Sequence, residues 1–280
     1  MNIDLHTHSS CSDGSLTPSE LLVHAAAAGV EVLALTDHDT VAGLEEAHHR
    51  ALALGIELVP GVEISAAWRS QVIHILGLWI DPAGAALRSR LSTQQERRRT
   101  RMTKICGRLT KIGLPGAELL ATVQGSPGVP TRAHLAHAMV AGGWVESPEQ
   151  AFRKYLGAGK SAHVAAEWPS VAEVVAWIRA AGGEASLAHP ARYGLSGGAR
   201  RQLMTDFTAA GGTAIEVVAG PNGAHHIEAS SRLAVTYGLM GSVGSDFHNP
   251  QFSWNSLGRS LKLPDCVTPV WRRHPYQVTP

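Results

Sequence analysis

Short apolar runs that end on histidine or aspartate alternate along this chain with stretches of helical periodicity. Residues 3–5 read as a short strand delivering His6 and His8, which the period of two places on the same side. Thr17-Pro18-Ser19-Glu20 then carries a helix-start signature: Thr17 as N-cap, Pro18 at the first position and Glu20 closing a capping box. A helix over residues 21–28 follows, and Gly29 stops it. Residues 32–36 form the continuous apolar run expected of a buried parallel strand, again ending in ligand-type residues at His38. A helix over residues 41–54, a strand over 58–64 carrying Glu63 and a strand over 71–80 carrying His74 complete the first half. Later, residues 185–188 lead into His189, residues 214–218 form another apolar run, and residues 239–243 lead into Asp246 and His248. Helical stretches near 170–181, 199–210 and 225–237 separate them.

This alternation predicts an α/β fold with a parallel sheet and right-handed crossovers. Ligand-type residues at the C-terminal ends of successive strands fit a barrel, whose active site lies on that face, and about seven strands predict a distorted one. The stretch 93–164 breaks the rhythm. It opens with a long basic helix from Gln94, continues through helical pieces near 117–123, 132–141 and 148–155, and shows no strand. The expected organisation is therefore a barrel domain over 1–92 and 165–280, with a helical insertion at 93–164 covering the mouth. The run from Arg97 to Arg101 reads first as a solvated helix face.

With 44% hydrophobic and 17% charged residues and a net charge of +1, the 280-residue chain has material for a core and no global field to recruit anions. The three cysteines, far apart and odd in number, form neither a disulfide framework nor a CxxC metal site. No signal peptide or membrane-spanning run is visible, so the expected location is cytoplasmic, with no membrane and no obligate protein partner. Histidine is the anomaly, at 15 residues.

The side chains that would carry chemistry are His6, His8, Asp13, His38, Glu63, His74, His189, Asp246 and His248. Imidazole and carboxylate without thiolate suit borderline-to-hard divalent cations. Nine such groups exceed what a single ion takes, which points to two or three ions bridged by shared ligands, an arrangement used in phosphate-ester hydrolysis. Asp37 and Asp39 flank His38, where either would orient an imidazole or cap the next helix.

These motifs resemble those of the polymerase and histidinol phosphatase (PHP) family. His6-Thr7-His8 resembles its first motif, Thr36-Asp37-His38 its second, Glu63 with His74 its third and Asp246-Phe247-His248 its fourth, with His189 as an additional metal histidine. The resemblance implies a distorted (β/α)7 barrel holding three metal ions. It assigns His6, His8, Glu63 and Asp246 to the first, Glu63, His74 and His189 to the second, and Asp13, His38 and His248 to the third. Mn2+ suits this set, with Zn2+ or Fe2+ as alternatives. Asp246 and His248 are taken as catalytic as well as ligating. The order of motifs is similar to the branch that removes the 3′-phosphate of nucleoside 3′,5′-bisphosphates, with relatives that trim short RNA from its 5′ end. Histidinol phosphate phosphatase and a catalytically silent PHP module are the alternatives.

A bisphosphate substrate needs cationic anchors. Arg192 lies three residues after His189, Arg132 starts an insertion helix, and Lys160 is a third candidate. Tyr193, Phe247 and Trp254 are candidates for stacking on a base, with plain packing as the simpler reading.

Overall fold

A computed structural model describes residues 1–220, 223–252, 256–258 and 261–274. The elements run β1 (Ile3–Thr7), α1 (Pro18–Ala27), β2 (Val32–Leu35), α2 (Leu44–Leu54), β3 (Glu57–Trp68), β4 (Gln71–Leu78) and α3 (Ala85–Lys111). Then come α4 (Gly116–Gly125), α5 (Arg132–Ala141), α6 (Pro148–Ala151), α7 (Val171–Ala180), β5 (Glu184–Leu187), α8 (Gly197–Ala209), β6 (Ala214–Ala219), α9 (Ala224–Tyr237) and β7 (Met240–Gly244). The predicted capping box forms: Thr17 N–H donates to the Glu20 carboxylate at 2.8 Å, and Glu20 N–H donates to Thr17 Oγ1 at 3.2 Å. α2 starts later than its periodicity suggests. Asp39 sits in the left-handed region at φ 51°, and the turn it begins delays the helix to Leu44.

The strands form one sheet in the order β1-β2-β3-β4-β5-β6-β7. The pairing is parallel except around β4, which is antiparallel to both β3 and β5. This departs from the all-parallel expectation for a covalent reason. Only Arg69 and Ser70 separate β3 from β4, and a parallel return needs roughly a dozen residues. Residues after β7 bring its end back to β1. His8 N–H donates to Phe247 O at 2.9 Å, and Asp246 N–H donates to His6 O at 2.8 Å. A Cβ on Gly244 would lie 2.2 Å from His6 Cβ, so only glycine lets β7 lie this close to β1. The result is a nearly closed, distorted barrel.

Leu5, Ile64, Ile75, Leu187, Ile215 and Val243, one from each of six strands, are buried in the main hydrophobic core. A second hydrophobic cluster gathers Met102, Leu109, Leu135, Met139 and Leu156. α3 begins at Ala85, well before residue 93, and so spans both clusters. The loop before α5 is fastened to the loop after β1, with Val129 N–H donating to Cys11 O at 2.9 Å. Gly128 makes this approach at φ 81°, where a Cβ would stand 2.5 Å from Ser10 O. Gly128→Ala is therefore expected to destabilise the protein by about 1–3 kcal/mol. Urea unfolding measures it, and an unchanged midpoint would show that the two loops yield freely. Among the described residues no helix is long and apolar enough to cross a membrane.

Candidate metal centre

Strand ends converge on one carboxylate. Glu63 Oε2, on β3, lies 3.5 Å from His6 Nε2, 3.3 Å from His8 Nε2 and 2.9 Å from His38 Nδ1. Its Oε1 lies 2.9 Å from His74 Nδ1 and 3.1 Å from His189 Nε2. Asp246 Oδ1 approaches His6 Nε2 at 3.3 Å and His8 Nε2 at 3.2 Å. Asp13 Oδ1 sits 3.4 Å from His248 Nε2 and 3.7 Å from His38 Nε2. The structure thus gathers all nine side chains. Their ligand atoms form overlapping groups, each spanning no more than 4.8 Å: His6, His8 and Glu63; His38, Glu63 and His74; and His8, Asp13, His38 and His248. His8 and His38, like Glu63, each belong to two of these groups, whereas the ligand sets implied by the motifs share Glu63 alone.

The donor set fits divalent cations. Among the described residues, Asp13 Oδ1, His38 Nδ1 and Glu63 Oε2 are buried polar atoms that lie close to one another's side chains yet make no well-aligned hydrogen bond, and such atoms are costly to bury unless something charged satisfies them. His6 and His8 aim their Nε2 atoms at each other, 3.1 Å apart, so at most one can carry a proton between them. Burial opposes ionisation of Glu63, yet His38, His74 and His6 outweigh it and hold the carboxyl well below the usual range. Asp13 and Asp246 are likewise held low against burial, Asp13 by His38 and His248, Asp246 by His6 and Arg192. Burial, with His248 beside it, pushes His8 down to about 3, leaving a neutral ligand nitrogen. Against burial, Asp246 and Asp13 push His248 up to about 9. Protons on such rings supply the positive charge that a cation would bring. Cation loading near neutral pH is therefore expected to release protons and to weaken as pH falls below that value. A titration in weak buffer with an indicator dye measures the release, and loading without acidification would contradict it.

Sequence reasoning missed Glu216. It is fully buried on β6, where its Oε1 accepts from His6 Nδ1 at 3.0 Å and its Oε2 accepts from His189 N–H at 2.6 Å. The first bond fixes the His6 tautomer and leaves Nε2 free to ligate. The available signal was a lone acid inside an apolar run. Glu216→Gln is expected to lower metal affinity about 10- to 100-fold with the fold retained. A metal-buffer titration checks this, and unchanged affinity would remove Glu216 from the site.

Several other expectations change. Asp37 touches no imidazole directly and caps no helix; it accepts from Ser9 N–H at 2.8 Å, Ser9 Oγ at 2.6 Å and Ser12 Oγ at 2.6 Å, holding the loop that carries Asp13, and Ser12 Oγ in turn lies 3.5 Å from His8 Nδ1. Asp39 pairs with Arg98, whose Nε lies 2.6 Å from its Oδ2. The basic run is thus not simply a solvated face. Arg98 turns inward, and both Arg98 and Arg101 lie over the Trp168 ring. Tyr193 Oη donates to Ala188 O at 2.8 Å and accepts from His74 N–H at 3.0 Å, a structural brace, and Phe247 is buried in the core. Trp254 lies outside the described residues. Of the anchors, Arg192 donates to Asp246 Oδ2 at the centre itself. Arg132 is half-buried at the start of α5, and Lys160 is exposed on the loop following Leu156.

Fold and centre together define a class: an α/β barrel whose strand ends gather histidines and carboxylates able to hold several cations. The PHP domain family matches residues 4–167, and this chain belongs to that family. A 5′-3′ exoribonuclease of Haemophilus influenzae is 45% identical over 274 residues, covering 96% of this chain and 98% of its own length. A 3′,5′-nucleoside bisphosphate phosphatase of Chromobacterium violaceum is 40% identical, covering 97% and 95%. A solved structure from Chromobacterium violaceum, described as an amidohydrolase with bound sulfate and no metal, matches with a TM-score of 0.91 at 39% identity. It covers 98% of this chain and 95% of that one.

Proposed function

We propose that this chain is a metal-dependent phosphoric ester hydrolase that removes the 3′-phosphate of nucleoside 3′,5′-bisphosphates, yielding the 5′-monophosphate, and that it trims short 5′-phosphorylated RNA. The observation that carries this is the convergence of nine ligand-type side chains on Glu63 in a barrel whose full-length relatives bear those two activities in their names. Three divalent ions, Mn2+ by the mix of nitrogen and oxygen donors, are the proposed cofactors, with Zn2+ or Fe2+ as substitutes. Such ions supply Lewis-acid charge to phosphoryl oxygens and acidify the attacking water.

The chain's own residues do the rest. Glu216 holds the His6 ring and the His189 backbone in place. Asp246 and His248 take ligating and catalytic roles beside Arg192, whose guanidinium offers a forked contact to a phosphoryl group. Arg132 is the proposed anchor for the second phosphate, because its guanidinium has no carboxylate partner among the described residues while Arg98 and Arg101 add charge nearby. Lys160 is the third anchor. The helical stretch 93–164 covers the mouth in this reading, and the protein works in the cytoplasm.

The test is inorganic phosphate release from adenosine 3′,5′-bisphosphate with Mn2+, histidinol phosphate in parallel, and identification of the nucleotide product. Release yielding 5′-AMP supports the proposal. Turnover of histidinol phosphate alone, or release from the 5′ position, overturns it. Arg132→Glu is expected to raise KM for the bisphosphate about 10- to 100-fold with metal content unchanged, in line with the roughly 1.5–3 kcal/mol of a charge-assisted hydrogen bond.

A further inference from the structure

α3 concentrates positive charge on one face. It carries nine of the chain's 24 lysines and arginines against a single acid, Glu96, although the whole chain has a net charge of only +1. Arg97, Arg101, Lys104 and Arg108 follow one another at intervals of four, three and four residues, so they form a stripe along one side of the helix. Like charges at these intervals repel and weaken a helix, so α3 itself gains nothing from them. The groups across from the stripe do not neutralise it. Arg101 Nε donates to Val164 O at 3.0 Å, Arg108 donates to His163 O, and Arg97 donates to Gln94 Oε1 at 2.9 Å. Those acceptors are neutral. Among the described residues only Lys104 of the four reaches a carboxylate, that of Glu167 at 3.9 Å, and the Glu167 side chain is 86% exposed.

Between α3 and the segment 163–168 runs a groove of about 260 Å³, lined by Arg97, Thr100, Arg101, Lys104, Ala165 and Trp168 among others. None of the nine ligand-type side chains lines it, and neither do Arg132, Arg192 or Lys160, so it lies outside the metal centre and the proposed phosphate anchors. It starts close to them all the same. Arg98, beside Arg97 in the chain, pairs with Asp39, the neighbour of His38. From there the stripe continues to Arg108, roughly 16 Å along the helix axis. The groove offers no large apolar anchor of the kind a protein partner needs, because Trp168 is 9% exposed and Arg98 and Arg101 lie over its ring. A polyanion that presents phosphates in series fits it. Glu96, 70% exposed, and Glu167 stand at its borders, where they can turn out to solvent.

We propose that the stripe is the path of single-stranded RNA beyond its first nucleotide, with Arg97, Arg101, Lys104 and Arg108 contacting successive phosphates. This rests on the phosphoesterase reading above and deepens it. The centre and its anchors take one nucleotide, which is all that a bisphosphate offers, and the stripe holds the rest of a longer strand. No uncovered ring in the groove stands ready to stack on a base, so the contacts run to the RNA backbone and carry little sequence preference.

The test compares a 5′-phosphorylated five-nucleotide RNA with adenosine 3′,5′-bisphosphate, both in Mn2+. The triple variant R97Q/K104Q/R108Q removes three charges and leaves Arg98 and Arg101, which pack on Trp168, in place. Its thermal midpoint should match the wild type. KM for the RNA is expected to rise about 10- to 100-fold at about 50 mM salt, while KM for the bisphosphate stays within about twofold. The slope of log KM against log salt should fall by about 2 for the RNA, at roughly 0.7 for each phosphate contact removed. An equal effect on both substrates, or none on the RNA, overturns the proposal and leaves the stripe to a protein partner or to none. A second readout does not depend on turnover. The same RNA with 4-thiouridine at its third position, irradiated on Glu63→Gln protein, should cross-link within residues 93–108 or 163–168. Cross-links confined to other segments overturn the proposal as well. If the wild type hydrolyses neither substrate while the RNA still cross-links to α3, the activity reading fails and the RNA path stands. If the bisphosphate is hydrolysed and the RNA binds wild type and triple variant alike, the path fails and the activity stands.

Discussion

Glu63→Gln is expected to reduce phosphate release by about 10³-fold or more while the barrel stays folded, a loss of roughly 4 kcal/mol in transition-state stabilisation. The magnitude follows from position. Each Glu63 oxygen touches a different set of rings, Oε2 facing His6, His8 and His38, and Oε1 facing His74 and His189. Glu63 is shared by two of the ligand groups among the described residues, whereas Asp13 belongs to one. Glutamine keeps the shape and one acceptor oxygen but brings an N–H₂ against ring nitrogens that need a shared anion. At least one ion should therefore be lost, and the remaining rings should take protons to balance charge. Metal analysis beside kcat separates the two effects. Full metal content with less than a tenfold loss would show that the bridge is dispensable.

Much of this arrangement was legible beforehand because metal ligands obey local rules. His6 and His8 share a side by strand alternation, and both fall on the shared Glu63. Asp246 and His248 follow the short strand β7, expected over residues 239–243 and observed over Met240–Gly244. What the sequence concealed is set by partners far along the chain. Glu216 looks like an interruption in a buried strand until His6, 210 positions away, is seen against it. Asp4 is similar: it is fully buried, pushed up to about 6 by that burial, and accepts from Ser245 N–H at 2.8 Å near the barrel's closure. The reversed β4 was hidden for a different reason. Its apolar pattern reads the same in either direction, and only the two-residue link from β3 decides its sense.

The Asp39–Arg98 pair supplies the second large expected effect, this time on stability. Asp39 is fully buried and the Arg98 side chain is only 9% exposed, so neither charge can be left to water. Arg98 also donates to Ser65 Oγ at 2.8 Å, and Asp39 Oδ1 accepts from Ser65 N–H at 3.0 Å, tying α3 to the rim of β3. Gln95 adds a bond from Nε2 to Asp39 O at 3.0 Å. Asp39→Asn removes the charge, preserves the shape and tolerates the left-handed φ of 51°. It leaves a buried guanidinium without its anion, which costs about 3–5 kcal/mol and lowers the melting midpoint by on the order of 10 °C. Asp39→Ala should lose about 1 kcal/mol more, because alanine lacks the local hydrogen bonding that stabilises that φ. Arg98→Met in the Asn background removes the stranded cation and should recover part of the loss; the recovered fraction is the coupling between the two groups. Equal midpoints for wild type and D39N would mean that solvent reaches the pair. The functional consequence should differ in kind from that of Glu63. α3 also carries Arg101 beside Arg132, so loosening its dock on β3 should raise KM for a bisphosphate more than it lowers kcat.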